Sequence, residues 1–138
     1  MTESCTGGAI AEQITSLAGI SAFFRGSTIP YASDAKVAVL GVDEQLINDH
    51  TVVSKEVAEA MAIQSNKLFK TDYAISTTGI AGPTKGDAVD EVGTVFIAIA
   101  SPSGIFSEKF NFGKPRERVV AKATNKALEL LLKEILKN

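Results

Sequence analysis

The stretch Val92-Gly93-Thr94-Val95-Phe96-Ile97-Ala98-Ile99-Ala100, followed by Pro102-Ser103-Gly104 and by Ile105 to Phe112, decides the fold. Val92 to Ala100 is rich in β-branched and aromatic residues and is the strongest strand of the chain. Pro102-Ser103-Gly104 is a turn, so a second strand returns along the first. Upstream, Tyr73 to Thr78 reads as a buried strand that ends in Thr78-Gly79-Ile80-Ala81-Gly82-Pro83, and Pro83 to Glu91 reads as a polar loop. Downstream, a helix begins near Pro115, a favoured first-turn residue, and turns Val120, Ala123, Ala127, Leu128, Leu131, Leu132 and Ile135 inward.

Further upstream, Ser54 caps a helix with the stripe Val57, Ala58, Met61, Ala62 and Leu68. Ser33 or Asp34 caps a short helix closed by Gly41, leaving His50 in a polar loop between helices. Ser27 to Ala32 reads as a short strand that Pro30 demotes to an edge or bulge. The first helix is expected from Gly7 to about Leu17, with Thr6 as N-cap. Helices mixed with strands and one clear hairpin predict an α/β fold: a three-layer domain with a mixed β-sheet flanked by helices. No linker divides residues 1–138, so one domain is expected.

The 138 residues are 45% hydrophobic and 22% charged, as in ordinary globular domains. A net charge of -2 supplies no overall positive field, so neither nucleic acid nor an anionic membrane is an expected partner. Cys5 is the one cysteine, which rules out an intrachain disulfide. No apolar run is long enough to span a bilayer, and a cytoplasmic location is the expectation.

Elimination narrows the chemistry. A Ser-His-Asp triad needs a histidine base, and the chain offers only His50, beside Asp49. One His and one Cys do not make a zinc site, so no metal and no cofactor are expected. Asp87, Asp90 and Glu91 read as a solvated loop more simply than as a magnesium site. Hydrolysis would therefore rest on Ser or Thr with Lys, Tyr or a carboxylate.

Four clusters have the right residue types, and each has a plainer reading. Ser4-Cys5-Thr6-Gly7-Gly8 places hydroxyls and glycines at a helix start, where unpaired amides and the dipole favour an anion or oxyanion. The alternative there is simply a capped helix after a turn. Tyr31 to Lys36 pairs a phenol with a lysine that becomes a base if burial lowers its pKa; the alternative is an exposed lysine on a short helix. Thr77 to Pro83 follows a buried strand, where backbone amides of Thr78 and Gly79 could bind a phosphate, or where a tight Gly-Pro turn suffices. Arg116 and Arg118 open the last helix, either as a bidentate phosphate or carboxylate partner or as a solvated first turn.

Taken together, these segments resemble the C-terminal domain of the CinA (competence-damage-inducible) proteins, also found alone as nicotinamide mononucleotide deamidase. The resemblance is carried by Glu3 to Gly8, Gly19 to Phe24, Tyr31 to Lys36, Leu40-Gly41-Val42, Val53-Ser54, Val57-Ala58, Met61-Ala62, Thr78 to Pro83, Val92 to Val95, and Gly113 with Arg116. It implies metal-free hydrolysis of the nicotinamide mononucleotide carboxamide to nicotinate mononucleotide and ammonia. It implies Ser4 as the nucleophile or a core site residue, Ser21, Tyr31 and Lys36 as further site residues, and Thr78 and Arg116 as lining of the nucleotide pocket. With the residue chemistry, the expected binding set is Thr6, Gly7, Gly8, Thr78, Gly79 and Arg116. In this scheme either Ser4 or Ser21 attacks, Lys36 takes the proton, from Ser4 with Tyr31 relaying, and amides near Gly7 hold the oxyanion.

The chain departs from the family pattern at Val120, where an arginine is common, and it starts two residues before the hexapeptide. An N-terminally shortened domain of this kind is expected to leave a sheet edge uncovered, to put Ser4 on a fraying terminus, and to favour homo-oligomers. Besides an active amidase, two readings stay open: a nucleotide-binding module without efficient chemistry, and an assembly module.

Overall fold

A computed structural model describes residues 1–137. Strand β1 (Thr2–Glu3) leads into helix α1 (Ala9–Thr15) and a 3-10 turn at Ile20–Ala22. Helices α2 (Ser33–Ala38), α3 (Glu44–His50) and α4 (Lys55–Phe69) follow, then strands β2 (Ala74–Gly79), β3 (Thr94–Ser101) and β4 (Gly104–Asn111), and helix α5 (Arg116–Lys137). The sheet has the order β1-β2-β3-β4, with β1 parallel to β2 and the other pairs antiparallel. This is the mixed, helix-flanked α/β sheet that the hairpin predicts.

The alternation of β3 builds the layers. Val95, Ile97 and Ile99 join Ile10 of α1 and Val119, Ala123, Ala127 and Leu130 of α5 on one face. Phe96, Ala98 and Ala100 join Ala58 and Ala62 of α4 on the other. Side chains of a strand alternate between faces, so a strand covered on both must be apolar throughout. Leu40, Val42, Val57 and Met61 tie α2, α3 and α4 into a smaller cluster beside the sheet.

Ser54 caps α4 as expected, its hydroxyl accepting from the Val57 amide at 3.2 Å. Besides the cap of α2, which falls at Ala32 and not at Ser33 or Asp34, four expectations need correction. The polar loop holding His50 is instead helix α3, capped by Asp43, whose carboxylate accepts from the Gln45 amide. The strand expected at Ser27 to Ala32 shrinks to a bridge between Thr28 and Thr2, since Pro30 has no N–H to continue a ladder. Helix α5 buries Ala123 and Ala127 as expected, with Val120, Leu128 and Leu131 packed against the core, but Val119 and Leu130 complete its buried face while Leu132 and Ile135 are exposed. Its small alanines let the helix approach the sheet closely, and Leu132 falls to the solvent side.

The fourth concerns the start of the chain. Met1 to Thr6 are all buried, and Ser4, just past β1, is tied to β2 by its amide and is not on a frayed end. Thr28 accepts from the Glu3 amide at 2.9 Å and donates its own amide to the Met1 carbonyl at 3.1 Å.

Candidate active site

The hexapeptide is where β1 ends. Glu3 pairs with Thr77 of β2, and the Ser4 amide donates to the Thr77 carbonyl at 3.1 Å. The chain then leaves the sheet in a turn, the Gly7 amide donating to the Ser4 carbonyl at 3.0 Å. Gly7 and Gly8 have φ of 61° and 104°, so the turn into α1 uses a left-handed backbone that side-chain-bearing residues rarely adopt.

The start of α1 differs from the expectation. Thr6 does not cap it, and its amides are not open to an outside anion. The Glu3 carboxylate accepts from the Ile10 amide at 2.9 Å and the Ala11 amide at 3.0 Å. The chain thus fills its own helix-terminal anion site. The Gly7 amide, bonded to Ser4, is likewise occupied, so the oxyanion role expected of it is not supported.

Lys36 lies on α2 and is 1% exposed. Its ammonium donates to Ser4 Oγ at 3.0 Å, to the Pro30 carbonyl at 2.9 Å and to the Tyr31 carbonyl at 3.1 Å. All three protons have partners, but none is a carboxylate. Burial therefore dominates and pulls its pKa down to about 8, opposed weakly by Cys5. Burial pushes the neighbouring Cys5 thiol up to about 12, so Cys5 is a poor nucleophile at neutral pH.

The other expected residues divide. The Tyr31 phenol accepts from Arg116 Nη2 at 2.9 Å, so Tyr31 meets Lys36 through its carbonyl and is not a relay between lysine and serine. Arg116 also donates to the Gly82 carbonyl at 2.6 Å, tying the start of α5 to the loop after β2 and to Tyr31. Ser21 is exposed on the 3-10 turn, whereas Lys36 bonds to Ser4.

Thr78 and Gly79 sit differently from the expectation. Thr78 is buried and donates to the Val52 carbonyl on the α4 side of the sheet. A Cβ on Gly79 would lie 2.7 Å from the Thr94 carbonyl oxygen, so glycine here serves strand packing. The residue facing the hexapeptide is Thr77, whose hydroxyl lies 2.9 Å from that of Thr6. Side-chain alternation along β2 was the signal for this: a one-residue shift changes the face.

His50 ends α3, 3.7 Å from Glu56, away from these groups. Asp90 pairs with Lys109 and Glu91 with Lys85, and among the described residues no cluster could hold a metal ion. A cleft of about 700 Å³ opens between α1 and α5, lined by Glu12, Gln13, Arg116, Glu117, Val120 and Thr124 among others. Ser4 and Lys36 do not line it; Arg116 is the candidate site residue that does.

A mixed sheet with a buried serine–lysine contact defines an α/β domain with a potential nucleophile at the end of its first strand. The CinA C-terminal domain model matches residues 1–135, and the chain belongs to that family. A CinA-like protein of Flavobacterium psychrophilum is 64% identical over 136 residues, covering 99% of this chain and 32% of the relative. A CinA-like protein of Gloeobacter violaceus is 41% identical, with 99% and 32% covered. The chain thus spans about a third of the length of these curated relatives. The competence damage-inducible protein A of Klebsiella pneumoniae superposes with a TM-score of 0.94 at 31% identity, covering 98% of this chain and 84% of that one. The competence/damage inducible protein CihA of Agrobacterium tumefaciens gives 0.91 at 34% identity, with 96% and 81% covered.

Proposed function

We propose that the chain is an amidohydrolase that converts nicotinamide mononucleotide to nicotinate mononucleotide and ammonia. The observation that carries this reading is the 3.0 Å contact between Lys36 Nζ and Ser4 Oγ, with the lysine stripped of water and unpaired with any carboxylate. A lysine of lowered pKa beside a hydroxyl is a usable base for a serine nucleophile.

Neutral Lys36 takes the Ser4 proton as Oγ attacks the carboxamide carbon. The C–N bond then breaks, and the leaving amine takes the proton from Lys36 and departs as ammonia. Water attacks the resulting ester, gives a proton to Lys36, and the acid is released as Ser4 recovers its proton. Arg116, at the mouth of the α1–α5 cleft, is suited to the phosphate of the ligand.

The test is ammonia release from nicotinamide mononucleotide by the wild type, Ser4→Ala and Lys36→Ala proteins. Release by the wild type alone supports the reading. No release with nucleotide binding intact by calorimetry makes the domain a binding module, the reading favoured by Val120. No binding at all leaves an assembly role. The proposal includes a cytoplasmic setting and a homo-oligomer, the latter supported by the open edge at β4. Among the described residues no helix is long and apolar enough to cross a membrane.

A further inference from the structure

Beneath Ser4 lies a chain of buried polar groups that the proposed chemistry does not use. Thr6 Oγ1 donates to Glu3 Oε1 at 2.6 Å, and Glu3 accepts in turn from the Ile10 and Ala11 amides. The single Thr6 proton is thereby committed, so in the 2.9 Å contact between the two threonines Thr77 is the donor. The Thr77 oxygen is left to accept, and the Ser4 amide points at it at 3.4 Å while bonding the Thr77 carbonyl at 3.1 Å. Thr2, Glu3, Thr6 and Thr77 are all 3% exposed or less, so water does not compete for these bonds.

The donors run one way, from the Ser4 amide to Thr77, Thr6 and the Glu3 carboxylate, which the amides at the start of α1 reach from the other side, and the Thr77 hydroxyl also meets the Cys5 side chain. It grips the residue before Ser4, the amide of Ser4 and the residue two after it. We propose that Thr77, acting through Thr6 and Glu3, is a positioning residue that holds the Ser4 hydroxyl against Lys36. Thr77 touches no reacting atom. It anchors the turn to β2, so that Ser4 Oγ keeps its line to the lysine. Buried polar networks that are fully satisfied rigidify what they hold, and misplacing a reacting group by about 1 Å can cost about 100-fold.

This rests on the Ser4–Lys36 reading above, so the experiment measures serine reactivity independently of the natural substrate. Diisopropyl fluorophosphate is attacked by Ser4 Oγ, fluoride leaves, and the hydroxyl proton passes to Lys36; the adduct is timed by intact mass and mapped to Ser4. The expected result is wild-type labelling that Lys36→Met abolishes, a fall of about 10- to 100-fold in Thr77→Val, and recovery of most of the rate in Thr77→Ser. Thr6→Val, which cuts the same chain from the turn and leaves the residues of β2 unchanged, is expected to match Thr77→Val. The midpoint of the pH dependence stays near 8 in both threonine variants, because Lys36 keeps its burial. Thr77→Val and Thr6→Val labelled at the wild-type rate, with Lys36→Met inert, would overturn the positioning role alone. A wild type that is not labelled at all would overturn both it and the serine–lysine reading. Labelling without ammonia release from nicotinamide mononucleotide would overturn only the substrate, and the threonine variants would still decide the inference.

Discussion

Lys36 is a cation in a place that favours its neutral form. Its neutral fraction grows tenfold per pH unit below about 8, and kcat/KM for ammonia release is expected to rise with that slope and level off above about 8. A pH–rate profile checks this, and a flat profile between pH 6 and 8 would contradict it. Lys36→Met should lower kcat by at least about 100-fold, the usual worth of a general base. Stability has its own sign. The folded lysine titrates near 8 and the unfolded one near 10.5, so between these values the unfolded chain binds more protons and folding is favoured as pH rises. Burial of Cys5 acts oppositely between 9 and about 12. Wild-type stability relative to Lys36→Met should therefore improve from pH 8 to 10.5, read from urea midpoints. The pair Ser4 and Lys36 was legible in the sequence because both lie in short polar motifs. Glu3 and Thr77 were not singled out, because their value comes from register: Glu3 reaches forward seven and eight residues to cap α1, and Thr77 differs from Thr78 only by the face of β2.

At the level of elements, α1 depends on a carboxylate in the preceding strand. Glu3→Gln replaces one acceptor oxygen by a donor facing backbone amides, and is expected to destabilise the domain by about 1–3 kcal/mol. Chemical denaturation measures this, and an unchanged midpoint would show that Glu3 does not hold the helix. Gly79→Ala would force a methyl against the Thr94 carbonyl and Val95, costing about 1–3 kcal/mol by the usual scale of overpacking. The hairpin β3–β4 and helix α4 were readable from composition and from the Ser54 cap. The buried side of α5 was legible only in part, at Ala123 and Ala127, because its apolar residues run more than halfway round and do not single out Val119 and Leu130 over Leu132 and Ile135. The brief β1 was also hidden: a strand of two residues has no periodicity to detect.

For the whole molecule, the outer strand β4 leaves ladder groups without a neighbouring strand, whereas β1 is covered by Thr28, and Leu132, Ile135 and Leu136 are exposed along α5. A homo-oligomer is the expected state, and light scattering at micromolar concentration should give a mass above 14.5 kDa. A monomer at that concentration would contradict it. The three-layer architecture was legible because β3 announces a core on both sides, whereas the closeness of the N-terminal turn, α2 and β2 arises only when the chain folds. That same central strand links the two helical layers mechanically. Neither layer can loosen without stripping cover from Ile97 or Ala98, so the domain should melt as one cooperative unit. The backbone amides of β3 should then exchange with deuterated solvent only through global opening, at the full stability of the domain.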